Sequence, residues 1–573
     1  MNTSLRLLLE DFLGLMREEG ELDAFLPLLM SGMGHEVVYR AQKGPRQYGV
    51  DISSVGPDSD GETKLFLWLV KCGDIGRTEW NSGPQAIRQS IEDVEDVYLR
   101  SHVAPEFQQL KKKLLVVTNG DFKASLNETI AGYLESWCAR NGTEAEQVNG
   151  STLAFWTEQF LLNEYILPAD SRTLLRRMLA NVVSPDLCAS VGRVLIDQLV
   201  SSATAPAKTK GAKAKKLLTN LRGIRTALSV LQIWAQGEKN LLAPYRLAEY
   251  AVLAVWAGLH DEMLAGNAAI AKEFAQLLAQ LSNVADAYHE RLEPYYVVQD
   301  AFANALPDSL LVSKAVFDEL GRLGLQGCLC SLQVEQTEET LMIAQCYARR
   351  IESLLQTHSC SALPAYDHHS ANIHMALLLL ATTNRIDEAR QWVRRLCQRL
   401  SYATNLRRFM PMSAPFEEAI LIRQGEEEMA DEFCSTSTLI PILLTWTASL
   451  GMQDSYSFLR DHVVPSAKGT TPNFWNADKG YDSIVSDPGM LHAHGAGEAI
   501  GDIPEVPEEF LRAMSEGLSE IEPIESSAWY QLDAHFIPML AGIHWQSQLP
   551  RQFLVRQAAR ALVRSNPPES ADT

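Results

Sequence analysis

Two oppositely charged side chains accompany short apolar runs near the start of the chain. Asp51 lies in the run Gly49-Val50-Asp51-Ile52, and Lys71 ends a second run twenty residues later. A carboxylate at the end of one strand can hold Mg²⁺, which lowers the pKa of a bound water. A lysine at the end of the next strand can position that water or stabilise the negative charge that develops on phosphorus. The pair therefore predicts metal-assisted phosphodiester hydrolysis, with Asp51 and Lys71 as the catalytic residues.

The segments around this pair predict an α/β domain. Their apolar spacing gives the order helix, three strands, helix, strand, helix, strand, helix. The predicted helices cover residues 4–33, 85–102, 125–141 and 151–162, and the predicted strands cover 35–40, the Asp51 and Lys71 runs, 114–117 and 144–148. Thr118 to Asp121 should end the fourth strand and cap the next helix. This order predicts a mixed sheet within residues 1–165.

Five segments of this domain form a recognisable pattern. They are Leu22 to Gly34, Gly49-Val50-Asp51, Leu69-Val70-Lys71, Leu115 to Phe122 and Val148 to Leu153. In order and spacing they resemble the motifs of the PD-(D/E)xK nuclease superfamily, in particular its Mrr-like restriction endonuclease branch. The resemblance is confined to the N-terminal domain. It implies a restriction-endonuclease-like fold, Mg²⁺ or Mn²⁺ as cofactor and DNA as substrate.

The resemblance also implies a metal site around Asp51, and one position departs from the pattern. Such nucleases usually carry Glu, Asp or Gln two residues before the lysine, where this chain has Leu69, which cannot ligate a metal. In one explanation another acid substitutes, with candidates Glu36, Asp74, Glu79 and Asp23. In a second, the site uses Asp51, Asp23 as a weaker ligand and the backbone carbonyl of Val70. In a third, the domain binds nucleic acid without cutting it.

Basic and aromatic side chains near the pair are candidates for nucleic-acid contacts. Arg46 and Arg77 could contact phosphate, and Trp80 could stack on a base or wedge a groove. The alternative for Trp80 is packing on the following helix. A wider basic patch comprises these arginines and Arg40, Lys43, Lys64, Lys71 and Arg88. Such a patch is also typical of an ordinary solvated face.

Composition limits the class of protein. The chain has 573 residues, 46% of them hydrophobic and 21% charged, which is typical of a multidomain soluble protein. The net charge of −21 opposes non-specific coating of DNA, so a nucleic-acid contact requires a local basic surface. No apolar run is long enough to span a membrane, no P-loop pattern occurs, and the cysteines include no CxxC pair. We expect a cytoplasmic protein with reduced thiols, no membrane contact and no nucleotide-binding motif of its own.

The remainder of the chain predicts a large all-α region. Aliphatic residues keep helical spacing almost throughout 217–464, and residues 372–400 resemble a tetratricopeptide-type helix pair. We predict an irregular α-solenoid, a helical-repeat surface for a protein partner or for self-association. The predicted segments are a helical connector at 166–200, a basic flexible linker at 201–216, the helical-repeat domain at 217–464, a long irregular loop at 465–507, C-terminal helices at 508–565 and a tail at 566–573.

A second group of metal-ligating residue types lies in this helical region, at Asp367, His368, His369 and His374, with His358 nearby. Its spacing matches no standard ligand set. Histidines are common at helix ends, so we expect structural roles for these side chains.

Two main functional hypotheses follow, beside a third in which the nuclease acts on RNA. In the first, the protein is a Mg²⁺-dependent DNA endonuclease, a restriction or anti-phage defence effector whose helical region senses a trigger, oligomerises or docks a partner. In the second, the N-terminal domain is catalytically inactive, and the protein is a nucleic-acid-binding or protein-interaction scaffold. Leu69 favours the second hypothesis. Binding of Mg²⁺ or Mn²⁺ that depends on Asp51 would distinguish the two.

Overall fold

The computed structural model of the chain describes residues 10, 13–14, 16, 22–40, 48–82, 86–161, 169–204, 210–332, 337–406, 411–413, 416–424, 434–477, 482, 485, 495–516, 527–551 and 553–554. The chain divides into two compact units, residues 1–240 and residues 241–573. The first unit contains a mixed sheet, and the described part of the second is mostly helical.

A five-stranded sheet organises the first unit. Its strands are β1 (Glu36–Arg40), β2 (Ile52–Pro57), β3 (Thr63–Lys71), β4 (Lys112–Thr118) and β5 (Glu144–Val148). They lie side by side in chain order, with β1, β2 and β3 antiparallel and β3, β4 and β5 parallel. The parallel half requires crossover helices between its strands, whereas the antiparallel half requires only turns. The predicted mixed sheet and the predicted order of elements are confirmed.

Helices flank this sheet and continue after it. Those of the first unit are α1 (Asp23–Gly32), α2 (Arg77–Asn81), α3 (Ile87–Asp93, continuing through Val94–Tyr98 to Leu99–Ser101), α4 (Ala124–Asn141), α5 (Gly150–Trp156, extended by Thr157–Leu161), α6 (Ala169–Ala180), α7 (Pro185–Thr204) and α8 (Lys210–Gly237). A 3₁₀ turn at Pro105–Phe107 precedes β4. α4 ends before Gly142, whose φ of 60° is the left-handed conformation that glycine adopts most readily.

β3 is covered on both faces, as the middle strand of such a sheet requires. One face joins the apolar core formed with α3 and α4, through Leu65, Leu67 and Leu69. On the other face, Trp68 Nε1 donates a hydrogen bond to Ser54 Oγ at 3.0 Å. The ring of Trp68 lies 6.3 Å from that of Trp156 in α5. This alternation determines which face of the sheet each side chain of β3 can reach.

Gly49 sets the entry of the chain into β2. Its φ is +79°, in the left-handed region, and a Cβ at this position would lie 1.9 Å from the backbone oxygen of Ser90 in α3. A side chain here would therefore push α3 away from the sheet. Packing against α3 therefore requires glycine at position 49, independently of any function of Asp51.

Helices α6, α7 and α8 follow α5 within the first unit, and α7 packs against both α6 and α8. The flexible linker predicted at 201–216 was wrong at both ends, because α7 extends to Thr204 and α8 begins at Lys210. Alanine and lysine are good helix formers, and the sequence interpretation gave that propensity too little weight. Residues 205–209 lie outside the described residues.

The second unit is built largely from helices. They are α9 (Leu242–Leu264), α10 (Ala268–Tyr296), α11 (Ala301–Ala305), α12 (Ser309–Ser331), α13 (Glu338–Thr357), α14 (Ser370–Thr382), α15 (Ile386–Asn405), α16 (Phe416–Gln424), α17 (Leu439–Ser449), α18 (Gln453–Phe458, continuing through Leu459–Val463 to Val464–Ser466), α19 (Pro507–Glu516), α20 (Ala528–Gln531) and α21 (Phe536–Trp545), with 3₁₀ turns at Ser359–Ala362 and Asp367–His369. None of the helices within the described ranges combines the length and apolarity that crossing a membrane requires. The predicted helical region is confirmed, and its solenoid arrangement stays a prediction.

The long irregular loop predicted at 465–507 was wrong in part, because two segments of it are strands. β7 (Thr471–Ala477) pairs antiparallel with β8 (Gly495–Ala499) and parallel with the short β6 (Thr436–Ser437). Phe474 and Trp475 of β7 are both buried. Aromatic residues favour strands, and their burial outweighs the many turn-forming residues around them.

Candidate functional site

Asp51 lies at the start of β2, beside the end of β3. The register pairs Ile52 with Trp68, so Asp51 stands opposite Leu69. Its backbone N–H donates to the Trp68 carbonyl at 2.9 Å, and its Oδ2 accepts from the Val70 N–H at 2.7 Å. This charge-assisted bond holds the carboxylate against β3. Because the N–H and C=O of one strand residue point to the same side, the Val70 carbonyl also faces β2.

Lys71 is the last residue of β3 and is half-buried. Opposed residues of an antiparallel pair project to the same face, and so do residues two apart on one strand. Asp51, Leu69 and Lys71 therefore share one face at one end of the sheet. Leu69 is 1% exposed and lies in the apolar core. The structure places the two predicted catalytic residues at one end of the sheet, with an apolar side chain where the PD-(D/E)xK pattern has an acid.

The loop after β3 is held by polar contacts to the loop after β4. Asn119 is buried at their junction, and its Oδ1 accepts from the Gly73 N–H at 2.7 Å. Its Nδ2 donates to the carbonyls of Leu13 and Met16 at 2.7 and 2.9 Å. Both loops leave the carboxyl ends of parallel strands, where ligands of open α/β sheets commonly bind.

Sequence reasoning missed this role of Asn119. It assigned Thr118 to Asp121 to the cap of the following helix, and that was wrong, because the N-cap of α4 is Lys123 and no side chain caps it. Instead Thr118 Oγ1 donates to the Gly73 carbonyl at 2.5 Å. The signal that could have found the role is a polar residue directly after a buried parallel strand, at the sheet end that also carries Lys71.

Two of the acids predicted as substitute ligands accept hydrogen bonds from backbone N–H groups. Asp74 Oδ1 accepts from the Asp121 N–H at 3.0 Å. Glu79 Oε2 accepts from the Gly76 N–H at 2.8 Å, which closes the first turn of α2. Hydrogen bonds from its own N–H and that of Gly76 lower the pKa of Glu79. These bonds count against both acids as metal ligands.

The other two acids lie on the elements before β2. Glu36 of β1 stands opposite Val55, four residues from Asp51 along β2, a separation of about 13 Å at 3.3 Å per residue. Two carboxylates that share one ion lie much closer together, so the prediction of Glu36 as a substitute ligand was wrong. Asp23 is exposed at the first position of α1, and its role as a weaker ligand stays a prediction.

The predicted nucleic-acid contacts have different outcomes. Trp80 is 1% exposed, and its ring meets Tyr133 of α4 edge-on at 5.5 Å. A base contact by Trp80 was therefore wrong. Its alternative, packing on the following helix, is confirmed, because Trp80 belongs to one core cluster with Ile87 and Ile91 of α3. Arg77 is exposed on α2, and its phosphate contact stays a prediction. Arg46 and Lys43 lie outside the described residues.

Lys64 was counted in the basic patch, but carboxylates enclose it at the other end of β3. It is 1% exposed, and its Nζ lies 2.8 Å from Asp58, 2.6 Å from Asp60 and 2.8 Å from Glu144. Burial by itself lowers the pKa of Lys64, but the three carboxylates raise it well above its usual value. Burial by itself raises the pKa of Asp58, but hydrogen bonds, chiefly from Lys64, bring it down to about 2.

Lys113 and Arg88 are also paired within the first unit. Lys113 Nζ lies 3.1 Å from Asp58 and 2.8 Å from Glu146. Arg88 lies 3.6 Å from Glu92, one helical turn further along α3. Because carboxylates already compensate Lys64 and Arg88, the basic patch around the site is weaker than the sequence suggests.

Two members of the second group of metal-ligating residue types, Asp367 and His374, make structural contacts in the helical unit. The buried Asp367 carboxylate accepts from the hydroxyls of Ser437 and Thr438 at 2.6 and 2.8 Å and from the Thr438 N–H at 2.8 Å. These bonds fix the chain at the start of α17. His374 Nδ1 accepts from Trp446 Nε1 at 3.1 Å.

The donors that Asp51 and its neighbours offer a divalent ion are few. In the part of the chain that the structure describes, no group of three or more His, Cys, Asp or Glu side chains is arranged to hold a metal. Mg²⁺ is often bound by one or two carboxylates and completes its coordination with water and substrate phosphate. The Asp51 carboxylate and the Val70 carbonyl therefore fit a weakly held Mg²⁺ that also needs a phosphate.

No protein-family model, curated protein or solved structure matches the chain. The resemblance of its motifs to the PD-(D/E)xK nucleases stays a prediction.

Proposed function

We propose that the protein is a Mg²⁺-dependent DNA endonuclease whose active site lies at the end of β3. The observation that carries the proposal is the 2.7 Å hydrogen bond from the Val70 N–H to Asp51 Oδ2. This bond holds the acid beside the residue that precedes Lys71, and the strand register puts Asp51 and Lys71 on one face at one end of the sheet. With a divalent ion, such a pair can bind and polarise a phosphodiester.

Each residue of this site has a separate task. Asp51 and the Val70 carbonyl would hold the ion, which when bound polarises the phosphate and lowers the pKa of a water. Lys71 orients that water or stabilises charge on the phosphate oxygens, since its ammonium offers three donors on a flexible stem. Asn119 keeps the loop after Lys71 in place. Arg77, exposed on α2, is the proposed phosphate contact at the rim.

The wider role that we propose is a cytoplasmic restriction or anti-phage defence effector whose helical unit senses a trigger, self-associates or docks a partner. The division of charge supports separate tasks for the two units. Residues 241–573 contain 42 Asp and Glu against 23 Lys and Arg, whereas residues 1–240 contain 29 against 27. An excess of negative charge repels nucleic acid. DNA contacts would therefore be made by the first unit.

Cleavage of a supercoiled plasmid tests the proposal. The parent chain should nick or linearise the plasmid with Mg²⁺ and stop when EDTA is added, and Asp51→Asn and Lys71→Ala should lose this activity. Asp93→Asn and Lys111→Ala remove the same charges at exposed positions elsewhere in the first unit and should cleave as the parent does. Parallel reactions with duplex DNA, single-stranded DNA and RNA identify the substrate. Equal cleavage by all four variants would overturn the proposal.

One observation supports a second candidate function, a catalytically inactive nuclease-fold scaffold that binds nucleic acid or protein. Leu69 is 1% exposed in the core, so no ligand stands where the pattern has its second acid. The bond from Val70 also gives Asp51 a purely structural role, because it satisfies a strand N–H. For such a scaffold, the parent would cleave no substrate, and Asp51→Asn would change neither divalent-ion binding nor DNA binding.

A further inference from the structure

Positive charge in this acidic protein is concentrated in one segment. Residues 169–237 contain 11 Lys and Arg against 3 Asp and Glu, and no acid occurs between Asp197 and Glu238. Residues 1–168, which include the candidate active site, contain 15 Lys and Arg against 25 Asp and Glu. The sheet-bearing part of the first unit therefore repels a polyanion, and the helical segment after it attracts one.

The helices α6, α7 and α8 of this segment form one layer with an apolar interior. Asn220 Nδ2 of α8 donates to the Leu199 carbonyl of α7 at 3.1 Å, and Asn240 Nδ2 donates to the Val182 carbonyl at 2.7 Å. The buried side chains of the layer include Leu175, Met178, Leu195, Leu199, Leu221, Ile224 and Leu228. Because the apolar sides pack inward, folded helices hold the charged side chains at the surface.

Several of the basic side chains of this layer reach solvent. Those that are exposed are Arg176 and Arg177 on α6 and Lys216 and Arg222 on α8. Lys213 and Arg225 of α8 are half-buried. From Lys213 to Arg225 the helix rises about 18 Å at 1.5 Å per residue, and duplex DNA presents roughly ten phosphate charges over that length.

We infer that the layer α6–α8 is the surface with which the first unit holds the phosphate backbone of duplex DNA. The inference rests on the proposed function, which identifies the polyanion as DNA. It adds the surface on which that DNA binds. It replaces the basic patch predicted near Lys71, in which carboxylates compensate Lys64 and Arg88. Helices hold their cations in place, so binding costs less conformational entropy than binding by an unstructured tether.

The exposed side chains of α8 favour nucleic acid over a membrane surface. A helix that lies on an anionic membrane exposes large apolar side chains beside its cations. Among the described residues of α8, no large apolar side chain is exposed. Leu187 and Val194 are exposed on α7, but α7 carries a single basic residue, Arg193. The contacts that we expect are to phosphate oxygens, which are the same in every DNA sequence.

Salt-dependent binding of a short duplex by the full chain, in EDTA so that Mg²⁺-dependent cleavage is blocked, tests the inference. The test variant combines R176Q, R177Q, K216Q and R222Q. The matched control combines K272Q, R291Q, R349Q and R399Q, which removes the same number of exposed positive charges from the second unit. The affinity of the test variant for the duplex should be roughly tenfold or more below that of the parent between about 50 and 200 mM salt. The magnitude of its slope of log affinity against log salt should fall by about 0.9 for each phosphate that is no longer neutralised.

The control should keep the affinity and the slope of the parent, and thermal melting followed by circular dichroism should show that both variants fold. Absence of duplex binding by the parent, or equal losses in the test variant and the control, overturns the inference. A test variant that keeps DNA binding but loses binding to phosphatidylserine vesicles also overturns it, in favour of a membrane surface.

Plasmid cleavage by the parent and by Asp51→Asn separates this inference from the proposed function, because cleavage reports on the active site and duplex binding in EDTA reports on α6–α8. If the parent binds DNA through α6–α8 but never cleaves it, the inference stands and the endonuclease proposal fails. If Asp51→Asn abolishes cleavage while the test variant binds DNA like the parent, the endonuclease proposal stands and the inference fails.

Discussion

The two ends of β3 carry lysines in opposite surroundings. Lys64, near the start of the strand, is 1% exposed, and its Nζ lies within 2.8 Å of three carboxylates. Lys71, the last residue of the strand, is half-buried on the face that carries Asp51. Because the two lysines are seven residues apart, they project to opposite faces of the sheet. The same residue type is an internal counter-ion at one end and part of a candidate active site at the other.

The acids of the neighbouring loops account for the different surroundings of Lys64 and Lys71. At the Lys64 end, Asp58 and Asp60 of the turn between β2 and β3 direct their carboxylates at the lysine. At the Lys71 end, Asp74 and Glu79 accept hydrogen bonds from backbone N–H groups instead. Whether a lysine on this strand is an internal counter-ion therefore depends on whether nearby carboxylates bind its ammonium or backbone N–H groups. The position of the lysine along the strand does not show which of the two occurs.

Lys71→Ala should produce the largest effect, a loss of about 10²–10³-fold in cleavage rate, because stabilisation of the charge that develops on the phosphate is removed. Lys64→Met should leave the rate per folded molecule unchanged. Initial rates of plasmid nicking, normalised to the folded fraction from circular dichroism, measure both. Equal losses in the two variants would mean that the ends of β3 do not differ in function.

Lys64→Met should produce the next largest effect, this time on stability. Removal of the ammonium leaves three carboxylates close together, two of them partly exposed, and we expect a loss of about 2–4 kcal/mol in local unfolding free energy. Hydrogen exchange of peptides that cover β2 to β4 measures it. Lys71→Met, the matched control, should lose less than about 1 kcal/mol; a larger loss there would assign Lys71 to structure.

The Lys64 cluster should also give the first unit an acid-dependent stability. The pKa of Asp58 is about 2 in the fold, below its ordinary value of 3.8. A lowered carboxyl pKa contributes stability above the ordinary value, and this is lost as pH falls toward the folded value. Protection of β3 amides should therefore decrease between about pH 4 and pH 2. If Lys64→Met shows the same decrease as the parent, the cluster is not its cause.

The smallest effect on cleavage is expected from Asp74→Asn and Glu79→Gln. Their carboxylates accept backbone N–H groups, and the amide oxygens can replace them in these bonds. Both variants should cleave like the parent, and faster hydrogen exchange in the loop after β3 should be their main change. A loss of cleavage comparable to that of Asp51→Asn would instead identify either acid as a metal ligand.

Local patterns of the sequence predicted most of the first unit. The continuous apolar runs before Thr118 and Lys71 predicted β4 and β3, and the segment Glu144–Val148 is the strand that was predicted. Predictions were less reliable for segments whose residues favour different secondary structures. The alanine- and lysine-rich segment that begins α8 looked like a tether, and β7 is surrounded by turn-forming residues.

The prediction that Asp51 ends its strand was wrong, because β2 begins at Ile52. Asp51 lies at the same end of the sheet as Lys71 because β2 and β3 run antiparallel. The environment of Lys64 could not be predicted, because Glu144 lies 80 residues away in sequence. Asn119 similarly binds the carbonyl of Leu13, 106 residues earlier. Contacts between residues so far apart along the chain depend on the tertiary structure and leave no periodic signal in the sequence.

Divalent-ion binding tests the central claim most directly. The parent chain and Asp51→Asn are titrated with Mn²⁺ and followed by electron paramagnetic resonance, with a cleavage-resistant phosphorothioate duplex present to complete the site. Asp93→Asn, at an exposed position, controls for loss of a surface carboxylate. We predict that Asp51→Asn loses a bound Mn²⁺ that the parent and Asp93→Asn retain. Equal Mn²⁺ binding by all three proteins would contradict a metal-dependent active site at the end of β3.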